Sequence, residues 1–461
     1  MVILSGFLAA CGGSSGKEDH DSGVENKESG VEYDGGPGGD GSGLDAEVDA
    51  EVVVPTETTM ETSVSQWGIT WSFDKAYPCG RFVNGDWFVV ADSDGVVIVD
   101  IQPEPAGGRN GFEVDPVADG TNRRQPYDSR EEITIYDPSL QPELPVTVYA
   151  GSSLVSTISN PDEYTCSSGW VRPEQTRIRR WNLDHCVSVA VLETAAVLTV
   201  LDEPPPSGSF RPPYVAGEKP IYSSKNLRRE LLLSLPGDVR SRTPPSLSLM
   251  ETHFQRLWLD HLSSLHVRRV HPLYNMQDYY AGISTAAGLG ALSLLLDYPL
   301  EEKEKLLIYY VQVGIDLYGM IETGHYFHRH GNGRKMNILF AGLMLDHEGM
   351  LGMSQREFPH GHGFHEDCST YYDNEGVPRW GTRHCIDPSV SDESSSYRTC
   401  CTSSTWVGTA LAARLLGLMD VWDHPPFFDY IDRWMEEDLD YGWGDLWFDA
   451  MYWEYRDWSA Q

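Results

Sequence analysis

Residues Pro204 to Pro213 read PPPSGSFRPP, and the sequence has a different hydrophobic period on either side of them. Prolines fix φ and remove backbone donors, so no regular helix or central strand runs through this stretch. Upstream, apolar residues form short alternating or β-branched runs. Downstream, they recur every three or four positions. The chain is therefore expected to be a multidomain α and β protein. It would have a β-sandwich over 65–203, a Pro-rich linker or rigid loop over 204–225, and a helical domain over 226–461.

The expected strands are Trp67–Phe73, Gly85–Ala91, Val96–Ile101, Glu132–Tyr136, Val146–Tyr149, Ser153–Thr157 and Ala195–Leu201. Asp92-Ser93-Asp94-Gly95 supplies a turn with Gly where a positive φ is needed. No amphipathic helix intervenes, and a sandwich follows from that pattern. The expected helices are Leu247–Leu262, Asp278–Asp297, Glu301–Thr323, Lys335–Leu345 and Ser403–Leu418. Pro299 with Glu301 and Glu302 marks a helix start. Short connections imply antiparallel α/α hairpins, the texture of a complete or incomplete toroid. Tyr279–Leu296 carries no charge but contains Ser, Thr and Gly, and it reads as a buried core helix rather than a membrane span.

The N-terminus reads MVILSGFLAAC. Leu8-Ala9-Ala10-Cys11 resembles the lipobox of bacterial lipoproteins, which implies a signal remnant over 1–11 and lipidation of Cys11. An acidic Gly/Ser-rich tract over 12–64 follows, expected to be a disordered tether. Lys17 to Glu61 holds fourteen acidic and two basic residues, a large share of the chain's net charge of −35. Such a balance argues against nucleic acid as a partner. The expected localisation is export and lipid anchoring at the cell envelope, or secretion, with the membrane touched only through the lipid. In that compartment disulfides are permitted, and Cys166–Cys186 and Cys368–Cys385 are plausible local pairs, with Cys400 and Cys401 paired separately.

Two long polar loops interrupt the helices, and long loops in a compact domain usually carry function. The first, Gly324 to Lys335, includes His325, His328, Asn332, Arg334 and Lys335. From Glu322 to Asp346 it adds no acid between them, a basic island in an acidic chain. Cations at a helix start suit an anion such as a carboxylate or sulfate. The second loop holds His360, His362, His365 and Asp367, then Tyr371, Tyr372, Trp380, Arg383, His384 and Arg398. The histidine spacing is compatible with a metal but weakly specific, and neither metal nor cofactor is expected. Aromatic faces beside charged donors suit a sugar ring. In the β part, Trp67, Trp71, Asn84 and Trp87 form either a platform or a core. Outside the Gly/Ser-rich tract over 12–64, the signatures of serine hydrolases, nucleotide-binding loops and zincins are absent from the sequence.

A lipoprotein-like start, a β domain and an α/α domain together resemble the secreted polysaccharide lyases of the alginate-lyase-like and heparinase-like families. The resemblance covers about Gln66 to Gln461 at the level of architecture and residue type. It implies β-elimination on a uronate-containing polysaccharide. Asn332, Arg334 and His325 would neutralise the carboxylate, and Tyr372 or His384 would act as base and acid. Tyr280, His328, Lys335, Tyr371, Trp380, Arg383, Arg398, Asn84 and Trp87 would contact substrate. Two alternatives stay open. One is an inverting glycoside hydrolase using two of Glu322, Glu366, Asp367 and Asp373. The other is a non-enzymatic glycan-binding lipoprotein.

Overall fold

The computed structural model describes residues 54–121, 124–130, 135–161, 190–262, 270–277, 280–327, 331–358, 363–381, 393–394, 397–437 and 446–458. Cys11, His328, His360, His362, Arg383 and His384 lie outside them. So does at least one member of each expected cysteine pair, while Cys79 is a buried free thiol.

Eight strands build one sheet: β1 Thr59–Gln66, β2 Ile69–Arg81, β3 Trp87–Val90, β4 Val96–Gln102, β5 Phe112–Val114, β6 Val146–Val148, β7 Ser153–Ser159 and β8 Leu192–Leu201. Their order is β5-β7-β8-β3-β2-β4-β6, with β1 on β2, and only β3 and β8 pair in parallel among these ladders. The strand β2 serves both halves, since Thr70–Phe73 pair with β4 and Cys79–Arg81 with β3. Phe112 at one edge and Val148 at the other belong to one apolar cluster with Trp71, Ile98, Leu154 and Leu198. The sheet therefore curls toward closure and is barrel-like, which corrects the expected sandwich. Alternation shows which face is apolar; it does not show whether that face meets a second sheet or its own far edge.

The acidic tract is also shorter than expected. Ser207 N–H donates to Val54 O, Thr56 N–H donates to Pro205 O, and β1 begins at Thr59. The fold thus starts about ten residues before Ser65.

The opposite face of the sheet is covered by helices: α1 Leu247–Phe254, α2 Tyr280–Leu294, α3 Leu300–Glu322, α4 Arg334–Leu345, α5 Glu348–Leu351, α6 His365–Ser369, α7 Ser403–Leu415, α8 Met419–Trp422, α9 Pro425–Glu436 and α10 Leu446–Tyr455. A small hairpin, β9 Thr370–Tyr372 with β10 Pro378–Trp380, sits between α6 and α7. Every residue of α2 is buried, as its uncharged sequence implies. Its Gly288 lies against Gly408 of α7 so closely that a Cβ would meet backbone at 2.9 Å. Val155, Leu192 and Val197 of the sheet share one core with α1, α2, α3, α4 and α7. Residues on both faces of β8 are buried, which explains its unbroken AAVLTVL run.

The Pro-rich stretch is packed between the two parts. Phe210 and Tyr214 are buried, and Arg211 is a clamp. Its Nε donates to Asp86 Oδ2 at 2.6 Å, while Nη1 and Nη2 grip Asp316 of α3 at 2.9 and 2.5 Å. Gln312 exchanges two hydrogen bonds with the Arg211 backbone. Each ion is buried with its partners satisfied, which is what a buried charge requires.

Candidate functional site

The loop before α4 is anchored by acids brought from elsewhere. Gly333 takes φ 84° and approaches α2 so closely that a Cβ would meet Ser284 Cα at 2.7 Å. Only glycine suits both demands. The Gly333 N–H donates to Glu366 Oε1 at 2.5 Å. Arg334 donates from Nε and Nη2 to Asp260 at 2.7 and 2.9 Å, and it is 3% exposed. Lys335 donates to Asp367 Oδ2 at 2.6 Å and to Trp422 O, and Trp422 Nε1 bonds the other Asp367 oxygen. The basic island is thus neutralised within the protein. Arg334 does not point to solvent as an anion receptor. The sequence hid this because Asp260 lies 74 positions away.

Electrostatics follow from that packing. Burial would raise Asp260, but the Arg334 charge and the His271 and Arg334 hydrogen bonds hold it well below the usual carboxylate range. Burial pushes His325 down to about 4 and His261 to about 3, so both rings are neutral at pH 7. His325 Nδ1 and His261 Nε2 are buried without hydrogen-bond partners among the described residues, and His325 packs edge-on against Phe327 at 4.6 Å.

Next to Gly333 lies a second group. Burial pushes the Glu366 carboxyl up to about 7, even though the Gly333 N–H favours its ionised form. Its Oε2 has no hydrogen-bond partner among the described residues, nor has Asn332 Oδ1. Buried unpartnered polar atoms are rare and need an explanation. Asn332 Nδ2 reaches Cys401 O at 3.4 Å, and Cys401 packs with Tyr280 and Tyr397. The Tyr397 hydroxyl donates to the Tyr280 hydroxyl in a short hydrogen bond. The His365 ring centre lies 5.9 Å from Tyr280 and 6.5 Å from Tyr397. Trp380, fully buried, lies 6.4 Å from Tyr397. Tyr280, Asn332, His365, Glu366 and Tyr397 therefore share one largely buried neighbourhood, whose hydroxyls, ring and carboxyl can exchange protons.

Other expected residues stand apart from this group in their bonding. Tyr372 is 42% exposed and donates to Asp429 at 2.5 Å; burial and that bond raise it to about 12. Tyr371 is half-buried opposite Arg379 in the β9–β10 hairpin. Arg398 bonds the Tyr430 hydroxyl at 2.7 Å and Glu437 at 2.9 Å. Asn84 donates to Asp86 and supports the Arg211 clamp. Trp87 lies under Arg81 and bonds Ser65 O. Among the described residues no group of three His, Cys, Asp or Glu could hold a metal.

Tyr397 was outside the expected site. One feature marks it: a π-helical turn, Arg398–Thr402, follows it directly, and such turns favour functional positions. Comparison with models of protein families, with curated proteins and with solved structures finds no match to this chain. Its function is therefore argued from the chemistry of the site.

Proposed function

We propose that this protein cleaves a uronate-containing polysaccharide by β-elimination at the Tyr280–Tyr397 site. One observation carries the reading: two touching tyrosine hydroxyls beside His365, next to a buried carboxyl that keeps its proton near pH 7. In this scheme Glu366, protonated, donates to the uronate carboxylate and stabilises the enolate that forms when the proton alpha to it leaves. Tyr280 or His365 takes that proton. The electron pair becomes the new C=C bond, the bond from carbon to the glycosidic oxygen breaks, and Tyr397 protonates the departing oxygen. Asn332, His365 and Glu366 are as buried as Arg334, so in this scheme the substrate must open the site before Asn332 Oδ1 accepts from a sugar hydroxyl.

The hydrolase alternative needs two available carboxyl groups. Asp367 is held by Lys335, Asp373 by Arg379 and Glu322 by Arg356, which leaves Glu366 alone. A binder would offer flat aromatic faces, whereas Trp380 is buried and Trp87 is capped by Arg81. The α/α-toroid arrangement, and export with anchoring through Cys11, belong to the same reading. No helix among the described residues is long and apolar enough to cross a membrane.

The test is incubation with uronate-containing and neutral glycans, following ultraviolet absorbance of a new conjugated double bond together with reducing ends. Both signals should rise together on a uronate glycan. Reducing ends without absorbance would mean hydrolysis, and binding without either would mean a lectin-like role. Replacing Cys11 with Ser should release the protein from the membrane fraction; unchanged association would sink the anchor.

A further inference from the structure

Residue Arg256 follows α1, beside the β1–β2 turn and the start of β8. A cleft of about 270 Å3 opens there, with walls that include Trp67, Glu193, Thr194, Gln255, Arg256 and Tyr274. It is slightly smaller than a site for a drug-sized ligand and suits one ring.

Arg256 is half-buried and differs from the buried arginines. Arg211, Arg334 and Arg398 each hold a carboxylate, at 2.6, 2.7 and 2.9 Å. The Arg256 guanidinium lies over the Trp67 ring at 4.1 Å and within 5.4 Å of the Tyr274 ring. Its Nη1 donates to Thr194 Oγ1 at 2.8 Å, but its Nε is buried with no hydrogen-bond partner among the described residues. In Arg334 the Nε–Nη2 edge grips Asp260 by two bonds. In Arg256 the same edge holds no carboxylate among the described residues. Glu193 on the cleft wall attracts this cation across the cleft, but no carboxylate among the described residues is hydrogen-bonded to it, and a ligand carboxylate would supply that charge-assisted bond.

Trp67 adds a second observation. It occupies the first position of a two-residue turn between Gln66 and Ile69, with φ 54°. The two-residue hairpin needs a positive φ at both Trp67 and Gly68, and a bulky residue is uncommon there. Its indole Nε1 is also buried and partnerless.

We propose that this cleft binds one small hydroxylated carboxylate, the chemistry of a single uronic acid unit. The carboxylate meets the Arg256 guanidinium where it faces the cleft, and the hydroxyls bond Glu193 and Gln255. Glu193 makes a bare anion a poor ligand and a polyol acid a good one. The site does not depend on the reaction proposed at Tyr280 and Tyr397.

The test is calorimetric titration of the whole protein with glucuronate, glucose and acetate. Saturable glucuronate binding is expected, with no measurable heat from glucose and weaker binding of acetate. Arg256→Ala should abolish it. Arg256→Lys, which keeps charge and stem if the alanine variant does not fold, should weaken it about tenfold through loss of the planar fork. Glucose binding as well as glucuronate, acetate binding as tightly, or unchanged affinity in either folded variant would overturn the assignment.

Discussion

Arg334 on α4 grips Asp260 with both Nε and Nη2, at 2.7 and 2.9 Å, in a setting where neither residue reaches solvent appreciably. Removing one partner leaves the other charged and buried. Arg334→Ala should lower unfolding free energy by about 3–5 kcal/mol, and Arg334→Lys should recover only part. Urea titration reads both. A loss below about 1 kcal/mol would mean that Arg334 is a surface cation after all.

Glu366 makes a signed pH prediction. Its carboxyl has an ordinary value of 4.5 and is pushed up to about 7 by burial. Between those values the folded protein holds a proton that the unfolded chain has released. Stability from this group is thus lost as pH rises through the window, by about 3 kcal/mol, and is flat above it. In Glu366→Gln that loss disappears. The stability difference, variant minus parent, should grow from about pH 5 to about pH 8; subtraction cancels His325 and His261, which both proteins share. Parallel curves would show that Glu366 is already ionised.

Tyr397→Phe removes one hydroxyl from the touching pair and leaves the ring contacts with His365 and Trp380. Turnover of a uronate glycan should fall about 10²–10⁴-fold with little change in melting temperature. Tyr372→Phe should leave turnover within about threefold, because that hydroxyl serves the exposed bond to Asp429. The reverse ranking would move the chemistry to the β9–β10 hairpin.

Truncation separates tract from fold. A chain beginning at Val54 should melt like the full chain. One beginning at Ser65 loses most of β1 and its pairing to β2, and it should melt more than about 5 °C lower. Equal melting of the two would make β1 dispensable.

Secondary structure was legible where side chains face one environment. The β-branched run at β4 and the three-and-four spacing in α3 specify their elements locally. The helix α9 lies beyond the expected helices; it opens on Pro425 and Pro426, and proline is at home in a helix's first turn. The strand β1 was missed because Thr and Ser carry its signal among acids. The basic loop was rightly seen as unusual, but its partners Asp260, Glu366 and Asp367 arrive through tertiary packing that spacing does not encode. Tyr280 was among the expected contacts. Its partner Tyr397 was not, since 117 residues separate them.

The parallel pairing of β3 with β8 sets an order on synthesis. The strand beside Trp87–Val90 does not exist until Leu201 has been made, and the clamp that follows it needs Asp316. A chain emerging from its N-terminus therefore carries the open edge of β3 for about 110 residues, from Val90 to Leu201, before β8 can seal it. Such edges pair with neighbours when exposed. Production should depend on whatever shields the nascent chain, and slowing translation within α3 should raise aggregation more than slowing it within α9.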